Sequence, residues 1–453
     1  MTHLRTWRVL LLAILFIFSV SLTAASTGTF ETTRIDLVKV DVLVVGGGSA
    51  GVPAAIQAAR AGAQTVLVEA GSQLGGNATA GGVNFPGLFH AWGKQVIAGI
   101  GWEWVVKTVE TQGGELPDFT QPTGRQHWRH QIRVNPYVYL AVAEELCHDA
   151  GVELRYYEAP TKIDAITDSV YNWRVLTHAQ GQARVILCKE LIDCTGNGAV
   201  AKLVGAQLLR EDVIQPGTFN YKISHKINLQ EVDQKEIQRR YAEALKEGTI
   251  HEGDARGGII SFLGNSENNY VFNADNTTAS LRTQTNMQGR AAMLRMLRFI
   301  RTLPGGETAA VVSMSPEVGV RETQRVLGDY LITCEDYVEG KVWDDSIAYS
   351  FYPIDLHENQ TGVHPRSLEE GTVPTIPARA LFVKDKSHIL VAGRCISSDR
   401  LANSALRVQA SCMASGQAVG ALAAIAAKEN IEPRQVQLQE VKELLKEHGA
   451  IVP

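Results

Sequence analysis

The sequence predicts an α/β fold in which one sheet-containing domain is assembled from both ends of the chain. Near the N-terminus, the β-branched run Lys39–Val45 leads directly into a glycine-rich turn, which opens a helix of small residues. A second apolar run follows at Thr65–Val68. Near the C-terminus, the strand-like run Ile389–Val391 precedes a long helix of small residues at Gln409–Ala427. Strands that alternate with such helices are typical of a parallel sheet.

The composition is that of an ordinary globular protein. The chain has 453 residues, of which 45% are hydrophobic and 20% are charged, and its formal net charge is −5. This length allows two or three packed domains. A mildly acidic balance without a long basic run argues against nucleic acid as the main partner.

The first 25 residues have the layout of a secretory signal peptide. Arg5 and Arg8 precede an apolar stretch at Val9–Leu22, and Thr23–Ala25 supplies small residues for cleavage. The apolar stretch is short for a membrane span. We therefore expect cleavage and export to the periplasm or the medium. The alternative is an uncleaved anchor, which would make a membrane a partner of the chain.

Six cysteines are scattered along the chain without a CxxC motif. They are Cys147, Cys188, Cys194, Cys334, Cys395 and Cys412. The lack of clustering argues against an iron–sulfur centre, and we expect no metal site. An exported protein could pair some of these residues, but isolated buried thiols are the simpler interpretation.

The glycine-rich turn after the first strand predicts a dinucleotide-binding site of the Rossmann type. Gly46 permits a tight turn, Gly48 lets a pyrophosphate approach the backbone, and Gly51 lets the helix pack close to the sheet. Glu69 ends the second strand and is placed to accept hydrogen bonds from a ribose. The residues predicted to contact the nucleotide here are Gly46, Gly48, Ser49, Ala50, Gly51, Glu69 and Ala70.

A second glycine-rich loop follows this acidic residue and favours FAD over NAD. A similar loop in glutathione-reductase-like and fumarate-reductase-like flavoproteins runs along the pyrophosphate toward the flavin ring. The alternative is a glycine-rich surface loop. In covalent members of the fumarate-reductase-like group, a histidine beside the threonine of this loop carries the flavin; here that neighbour is Ala78, so we expect FAD to be non-covalent. The predicted contacts in this loop are Gly75, Gly76, Asn77 and Thr79.

Two further segments are predicted to complete the FAD site. Thr195 and Gly196 follow an apolar strand and resemble a flavoprotein turn at the adenine-ribose end, with residues 159–163, including Thr161, beside the adenine. Near the C-terminus, a helix N-terminus would lie under the flavin, where backbone amides stabilise the charge of the reduced ring. The alternative there is an ordinary buried helix. The predicted contacts of this segment are Gly393, Arg394, Asn403, Ser404 and Leu406.

Several segments, in order along the chain, carry a wider resemblance. They include Gly319–Arg325 (GVRETQR), Tyr352–His357 (YPIDLH), Ile376–Leu381 (IPARAL) and Cys412–Ala418 (CMASGQA). In these the chain resembles the FAD-dependent oxidoreductase family, which implies a glutathione-reductase-like fold related to fumarate reductase flavoproteins. The resemblance does not supply a substrate. Gln324 and Ala378 depart from the family pattern, where an arginine and an aromatic residue are usual.

The resemblance implies that the Rossmann-type FAD-binding domain is interrupted by an inserted α+β domain, which we expect to cap the flavin and shape the substrate pocket. The predicted boundaries are 38–207 for the first part of the FAD-binding domain, 208–372 for the substrate or cap domain, 373–430 for the second part and 431–453 for a C-terminal helix. The insert has no second dinucleotide turn. We therefore expect no dedicated NAD(P)H domain, and the electron acceptor stays unknown.

Five residues are predicted to lie near the reacting centre. His357 is the candidate for proton transfer, with Asp355 on the same face of an extended segment. Arg321 and Arg379 are predicted to clamp a carboxylate or to stabilise reduced flavin, and Arg407 lies just past the flavin-facing turn. The alternatives are a histidine that caps a loop, and an ion pair at a domain interface between Arg321 and the glutamate that follows it.

These patterns together predict an FAD-dependent oxidoreductase that exchanges a hydride with a small organic substrate. One alternative is a carbohydrate-processing or lyase-type protein in which FAD is structural. Another is a flavoprotein that serves as the electron-transfer subunit of a partner.

Overall fold

The computed structural model describes residues 36–121, 126–167, 170–264, 268–358 and 362–453, so the predicted signal peptide 1–25 lies outside the described residues. The strands are β1 (Asp36–Val45), β2 (Thr65–Glu69), β3 (His90–Ala91), β4 (Lys94–Gln95), β5 (Glu153–Tyr156), β6 (Ala159–Ala165), β7 (Trp173–Ala179), β8 (Gln182–Asp193), β9 (Leu208–Arg210), β10 (Gly217–Ser224), β11 (Asn268–Val271), β12 (Ala310–Met314), β13 (Gln324–Val326), β14 (Ser346–Tyr349), β15 (Ile354–Glu358), β16 (Gly362–Arg366), β17 (Thr375–Pro377) and β18 (Ile389–Val391). The α-helices are α1 (Gly51–Arg60), α2 (Ile100–Thr111), α3 (Pro136–Asp149), α4 (Ala199–Leu203), α5 (Gln234–Glu247), α6 (Ile259–Leu263), α7 (Ala279–Ile300), α8 (Cys334–Val338), α9 (Arg400–Leu406), α10 (Gln409–Glu429) and α11 (Leu438–Glu447).

The main sheet has strand order β5-β2-β1-β8-β7-β6, and β18 also pairs with β8. Strands β5, β2, β1, β8 and β18 run parallel to one another, whereas β7 and β6 are antiparallel additions. Val45 at the end of β1 lies level with Val68 of β2 and with Asp193 of β8. The carboxyl ends of these strands therefore meet at one edge, which is where α/β sheets bind ligands. The predicted Rossmann-type α/β fold is confirmed.

Both ends of the described chain contribute to this sheet. In β18, Ile389 pairs with Leu191 and Val391 pairs with Asp193. Residues Val42–Val45 of β1 are all apolar because this half of the strand is buried on both faces, as parallel strands in α/β proteins are. The C-terminal segment is thus an integral part of the nucleotide-binding sheet.

Helices α1 and α10 pack closely because both are built from small residues. A Cβ atom on Gly416 would lie 2.1 Å from the carbonyl oxygen of Ala50, and one on Gly420 would lie 2.4 Å from that of Ala54. Helix α10 is long and apolar enough to cross a membrane, but 94% of its apolar window is buried inside the protein. It is therefore a core helix, and the glycines bring it against the start of α1.

The inserted part has its own small sheet and its own core. Strands β11, β10 and β12 form an antiparallel sheet in that order, and helix α7 packs on β10 and β11. Phe219, Phe262 and Met296 belong to a separate buried apolar cluster in this part. The insert is α+β, as predicted. Residues 36–453 nevertheless form one compact unit, so the domain boundaries stay predictions.

Candidate functional site

The glycine-rich turn lies at the carboxyl edge of the sheet, and its geometry requires glycine at two positions. Gly46 has φ +101°, and a Cβ atom there would lie 2.6 Å from the carbonyl oxygen of Cys194. A Cβ atom on Gly51 would lie 1.7 Å from the carbonyl oxygen of Gly46. Gly48 differs, because the nearest atom to its Cβ position is 3.9 Å away. The side of the turn at Gly48 is therefore open.

This open side faces a groove with a volume of about 340 Å³, within the size range of small-molecule sites. The groove is lined by residues from both ends of the chain and from the insert. The predicted cofactor contacts that line it are Gly46, Gly48, Ser49, Ala50, Glu69, Ala70, Gly76, Asn77, Thr195, Gly196, Gly393 and Arg394. The structure thus brings the N-terminal turn and the C-terminal segment to the same groove.

Some predicted contacts lie behind the wall of the groove and shape it. The hydroxyl of Thr79 donates to the carbonyl oxygen of Leu74 at 2.5 Å. The side-chain amide of Asn403 donates to the carbonyl oxygen of Arg394 at 2.9 Å. The predicted contacts outside the lining are Gly51, Gly75, Thr79, Thr161, Asn403, Ser404 and Leu406.

Two regions differ in detail from the sequence-based prediction. Thr161 is exposed and its hydroxyl donates to the backbone of β7, while its neighbours Ala159 and Pro160 line the groove. Asn403, Ser404 and Leu406 lie within helix α9 and are not part of the groove lining. The residues just beyond them that line the groove are Arg407, which follows α9, and Gln409 and Cys412 at the start of α10.

Glu69 has a fixed position at the groove. Its carboxylate accepts hydrogen bonds from the backbone amide of Gly47 at 2.7 Å and from that of Gly71 at 2.6 Å. These two bonds hold the carboxylate between the glycine turn and the loop that follows β2. Contact between Glu69 and a ribose stays a prediction.

Four polar atoms of lining residues are buried without a hydrogen-bond partner within the described chain. They are Oδ1 of Asn197, Oδ1 of Asn276, Nε of Arg407 and Oε1 of Gln409. Buried polar atoms in folded proteins are nearly always paired, so these four atoms fit a groove that holds a polar ligand or water. The sequence pattern did not single out Asn197 or Gln409.

Beyond Arg407, three side chains from two distant strands, β15 and β11, form a hydrogen-bonded chain. Oδ2 of Asp355 lies 3.1 Å from Nε2 of His357, and Nδ1 of His357 lies 3.0 Å from the phenol oxygen of Tyr270. The arrangement fits a neutral imidazole that donates from Nε2 to the carboxylate and accepts the phenol proton at Nδ1. Sequence reasoning found Asp355 and His357 but missed Tyr270, which lies in the insert.

Burial and nearby charges determine which groups of this Asp355–His357–Tyr270 hydrogen-bonded chain carry a proton. Burial and the positive charge of Arg321 together lower the pKa of His357 to about 4, against the opposing effect of the hydrogen bond to Asp355. Burial raises the pKa of Asp355, but the hydrogen bond from His357 and the charge of Arg407 outweigh it and bring that pKa to about 2. Near neutral pH the carboxylate is therefore ionised and the imidazole is neutral.

Three arginines surround these residues. Nη2 of Arg407 lies 3.7 Å from the carboxylate of Asp355, and the same side chain lines the groove. The guanidinium of Arg321 lies 5.5 Å from the centre of the Tyr270 ring, and that of Arg256 lies 5.2 Å from it. Burial and the charges of Arg407 and Arg256 lower the pKa of Arg321 to about 9. The groove and the hydrogen-bonded chain therefore meet at Arg407.

The ion pair considered between Arg321 and Glu322 does not form. Nε of Arg400 lies 3.0 Å from the carboxylate of Glu322, which also accepts from the side chain of Gln215. Arg379 does not join the arginines either. Its guanidinium lies 4.6 Å from the centre of the Tyr330 ring and 3.5 Å from Asp345, outside the groove lining.

All six cysteines are free and buried. Cys194 and Cys412 line the groove, and burial raises the pKa of each thiol above its usual value. Such thiols are poor nucleophiles, because the thiolate is the reactive form.

A sequence model for the family described as "FAD dependent oxidoreductase" matches residues 41–445. No curated protein matched the chain. Among solved structures, a geranylgeranyl bacteriochlorophyll reductase-like protein from Thermoplasma acidophilum is 12% identical, with 91% of this chain and 84% of that chain covered and a TM-score of 0.42. The p-nitrophenol 4-monooxygenase of Pseudomonas putida DLL-E4 is also 12% identical, with 91% and 85% covered and a TM-score of 0.38. These similarities are too distant to indicate a substrate.

Proposed function

The chain belongs to the FAD-dependent oxidoreductase family, and on this premise we propose that it holds FAD non-covalently in the groove and exchanges a hydride with a small organic substrate beside His357. The proposal rests on one observation, which is that two segments far apart in the sequence line the same groove. The turn at Gly46–Gly51 and the segment from Gly393 to Arg407 both contribute to its lining. A dinucleotide needs such a long, continuous site.

The residues at the groove fit FAD. The open side of Gly48 allows a pyrophosphate to approach the backbone at the N-terminus of α1. Asn197, Arg407 and Gln409 offer buried polar atoms that a flavin or its ribityl chain would pair. Together these features support FAD binding along the whole groove.

Non-covalent attachment is supported by the side chains at the groove. Ala78 is fully buried and has no nucleophile. Among the described residues that line the groove there is no histidine and no tyrosine, and the burial of Cys194 and Cys412 disfavours their thiolates. Acid precipitation should therefore release the flavin into the supernatant.

Bound FAD supplies the two-electron chemistry, and the protein orients the substrate and moves a proton. In the proposed mechanism, His357 exchanges a proton with the substrate by way of the phenol of Tyr270, since its Nδ1 lies within hydrogen-bond distance of that phenol. Asp355 fixes the imidazole through Nε2 and stabilises its protonated form. Arg407 fixes the backbone of Asp355, because its Nη2 lies 3.2 Å from that carbonyl oxygen.

A glycine substitution in the groove tests the proposal. The Gly48→Val side chain would enter the open space beside the turn, so the variant should purify without FAD and without the visible flavin absorbance of the wild type. Gly114→Val is the matched control, because Gly114 is exposed and free of backbone strain. The wild-type absorbance should bleach anaerobically with dithionite and with a true substrate. A folded Gly48→Val variant with full FAD content would contradict the proposal.

We propose that the physiological electron acceptor is a carrier other than NAD(P)⁺, because the insert has no second dinucleotide turn. Stopped-flow reoxidation of the reduced protein by dioxygen, a soluble quinone and NAD⁺ compares the candidates. Reoxidation by NAD⁺ that is faster than by the other two would contradict the proposal.

Export is proposed from the N-terminal sequence, with cleavage after about residue 25. The full chain carrying a C-terminal affinity tag should be recovered outside the cytoplasm, and N-terminal sequencing should begin near residue 26. A full-length protein in the membrane fraction would show that the segment is an anchor. A full-length soluble protein in the cytoplasm would contradict export.

A further inference from the structure

An unbalanced positive charge surrounds Tyr270 and His357. We call the group of residues formed by Arg256, Arg321, Arg407, Tyr270, His357 and Asp355 the arginine cluster. Three of these residues are cations and Asp355 is the anion among them, while His357 is neutral near pH 7. The neighbouring carboxylate of Glu322 is bound by Arg400. Two positive charges of the cluster are therefore left without a compensating carboxylate in the described chain.

The cluster joins segments that are far apart in sequence. Tyr270 lies on β11, Arg256 precedes α6, Arg321 precedes β13, and Arg407 follows α9. Like charges that are partly buried together repel, so the fold tolerates them only at a cost in stability. Burial is the main cause of the lowered pKa of Arg321, and the positive charges of Arg407 and Arg256 lower it further. An anionic ligand would remove the repulsion.

Guanidinium groups in the cluster keep hydrogen-bonding capacity. Nε of Arg407 is buried without a partner in the described chain, and Arg321 and Arg256 form no ion pair with any described carboxylate. Arg321 donates from Nη1 to the carbonyl oxygen of Pro216, which orients its planar group. Planar guanidinium groups with free donors match carboxylates in geometry as well as in charge.

We propose that the arginine cluster is an anion site that recognises the carboxylate of the substrate, so that the substrate is a small organic acid. The proposal rests on the proposed function, because it places this acid beside the flavin end of the groove. Arg321 and Arg407 contact the carboxylate, and Arg256 adds positive charge through its position over the Tyr270 ring. Tyr270 is then held between the bound acid and His357.

The test uses the purified oxidised holoprotein and four probes: acetate, malonate, inorganic phosphate and the neutral analogue acetamide. Binding is read from the difference spectrum of the bound flavin and from the rise in melting temperature with probe concentration. Acetate or malonate should bind saturably, and acetamide should bind at least about tenfold more weakly, because it lacks the charge that the arginines pair with.

Variants locate the site. Arg321→Gln and Arg407→Gln should each weaken carboxylate binding by about tenfold or more, the loss expected for a hydrogen bond to a charged group. Arg298→Gln is the matched control, because Arg298 is exposed on α7, and it should bind carboxylates like the wild type. Flavin content and circular dichroism establish that each variant is folded.

Four results would overturn the proposal. The first is that acetate and acetamide bind equally well, and the second is that Arg321→Gln binds carboxylates as tightly as the wild type. The third is that phosphate binds tightly while carboxylates do not bind. The fourth is that the arginine variants shift the flavin reduction potential while their carboxylate affinity is unchanged. In each case the protein would still contain reducible FAD, and the proposed function would stand. A wild-type protein without FAD would instead contradict the proposed function.

Discussion

Nδ1 of His357 lies 3.0 Å from the phenol oxygen of Tyr270, although the two residues are 87 positions apart in the chain. His357 lies on β15 and Tyr270 on β11, so the contact joins the β15–β16 hairpin to the three-stranded antiparallel sheet of the insert. Its consequence is that the inserted part supplies chemistry as well as a cover.

Tyr270→Phe removes the phenol and keeps the ring under the two guanidinium groups. We expect kcat to fall by at least about tenfold, because the proton path to His357 is broken, while carboxylate affinity and FAD content change little. Steady-state kinetics with a substrate that bleaches the flavin gives the measurement. Tyr330→Phe is the control, since it also loses a hydroxyl hydrogen bond, to Asp336, at a distant position. Equal kcat values for the two variants would contradict the role of Tyr270.

His357 should make the folded protein less stable as the pH falls. Its pKa is about 4 in the folded protein against 6.5 for an unperturbed histidine, so between these values the unfolded chain binds a proton that the folded protein does not. The free energy of unfolding should therefore decrease toward pH 4 by up to about 1.4 kcal/mol per pH unit from this group. Denaturant unfolding at several pH values, compared with His357→Gln, measures the effect. The same slope in both proteins would show that His357 does not cause it.

Gly416→Val should disrupt the contact between α10 and α1. The new Cβ atom would lie 2.1 Å from the carbonyl oxygen of Ala50, so the helices must separate. We expect a loss of about 1–3 kcal/mol or more in unfolding free energy, together with weaker FAD binding, because Ala50 belongs to the groove lining. Denaturant unfolding and fluorimetric FAD titration give the two values. Gly114→Val, at an exposed position where the atom nearest to the new Cβ is Nε2 of Gln112 at 3.0 Å, should cost less than Gly416→Val and leave FAD affinity unchanged.

Arg379→Gln should leave substrate recognition intact. Its guanidinium lies over Tyr330, and loss of this cation–π contact should lower stability by about 0.5–1 kcal/mol. Acetate affinity and kcat should equal the wild-type values, in contrast with Arg321→Gln. A tenfold loss of acetate affinity in Arg379→Gln would contradict this prediction and show that Arg379 contributes to the anion site.

Much of the nucleotide-binding sheet could be predicted because its signals are local. Four elements follow one another along a short stretch of the chain: the strand that ends at Val45, the turn from Gly46 to Gly51, helix α1 and the strand that ends at Glu69. Each of them has a sequence pattern that its own local structure requires. The glycine positions could be predicted for the same reason, since a tight turn and a close helix leave no room for a Cβ atom.

The arginine cluster could be predicted only in part. Asp355 and His357 are two positions apart on a strand, so a shared face follows from strand geometry. Tyr270 and Arg256 reach them through the packing of the insert, and no local pattern marks either residue as different from other aromatic or charged side chains. Arg379 was a reasonable candidate by residue type, but the short helical turn at Ala378–Ala380 holds it beside Tyr330.

The order in which the chain is synthesised has a consequence for this protein. Strand β18 and helix α10 complete the sheet and the wall of the groove, and both lie in the last part of the sequence. A nascent chain that has not yet reached these segments cannot enclose the cofactor, however well its first strands have formed. We therefore expect flavin to be loaded only after both segments have been synthesised, and fragments that end before Ile389 should purify without bound flavin.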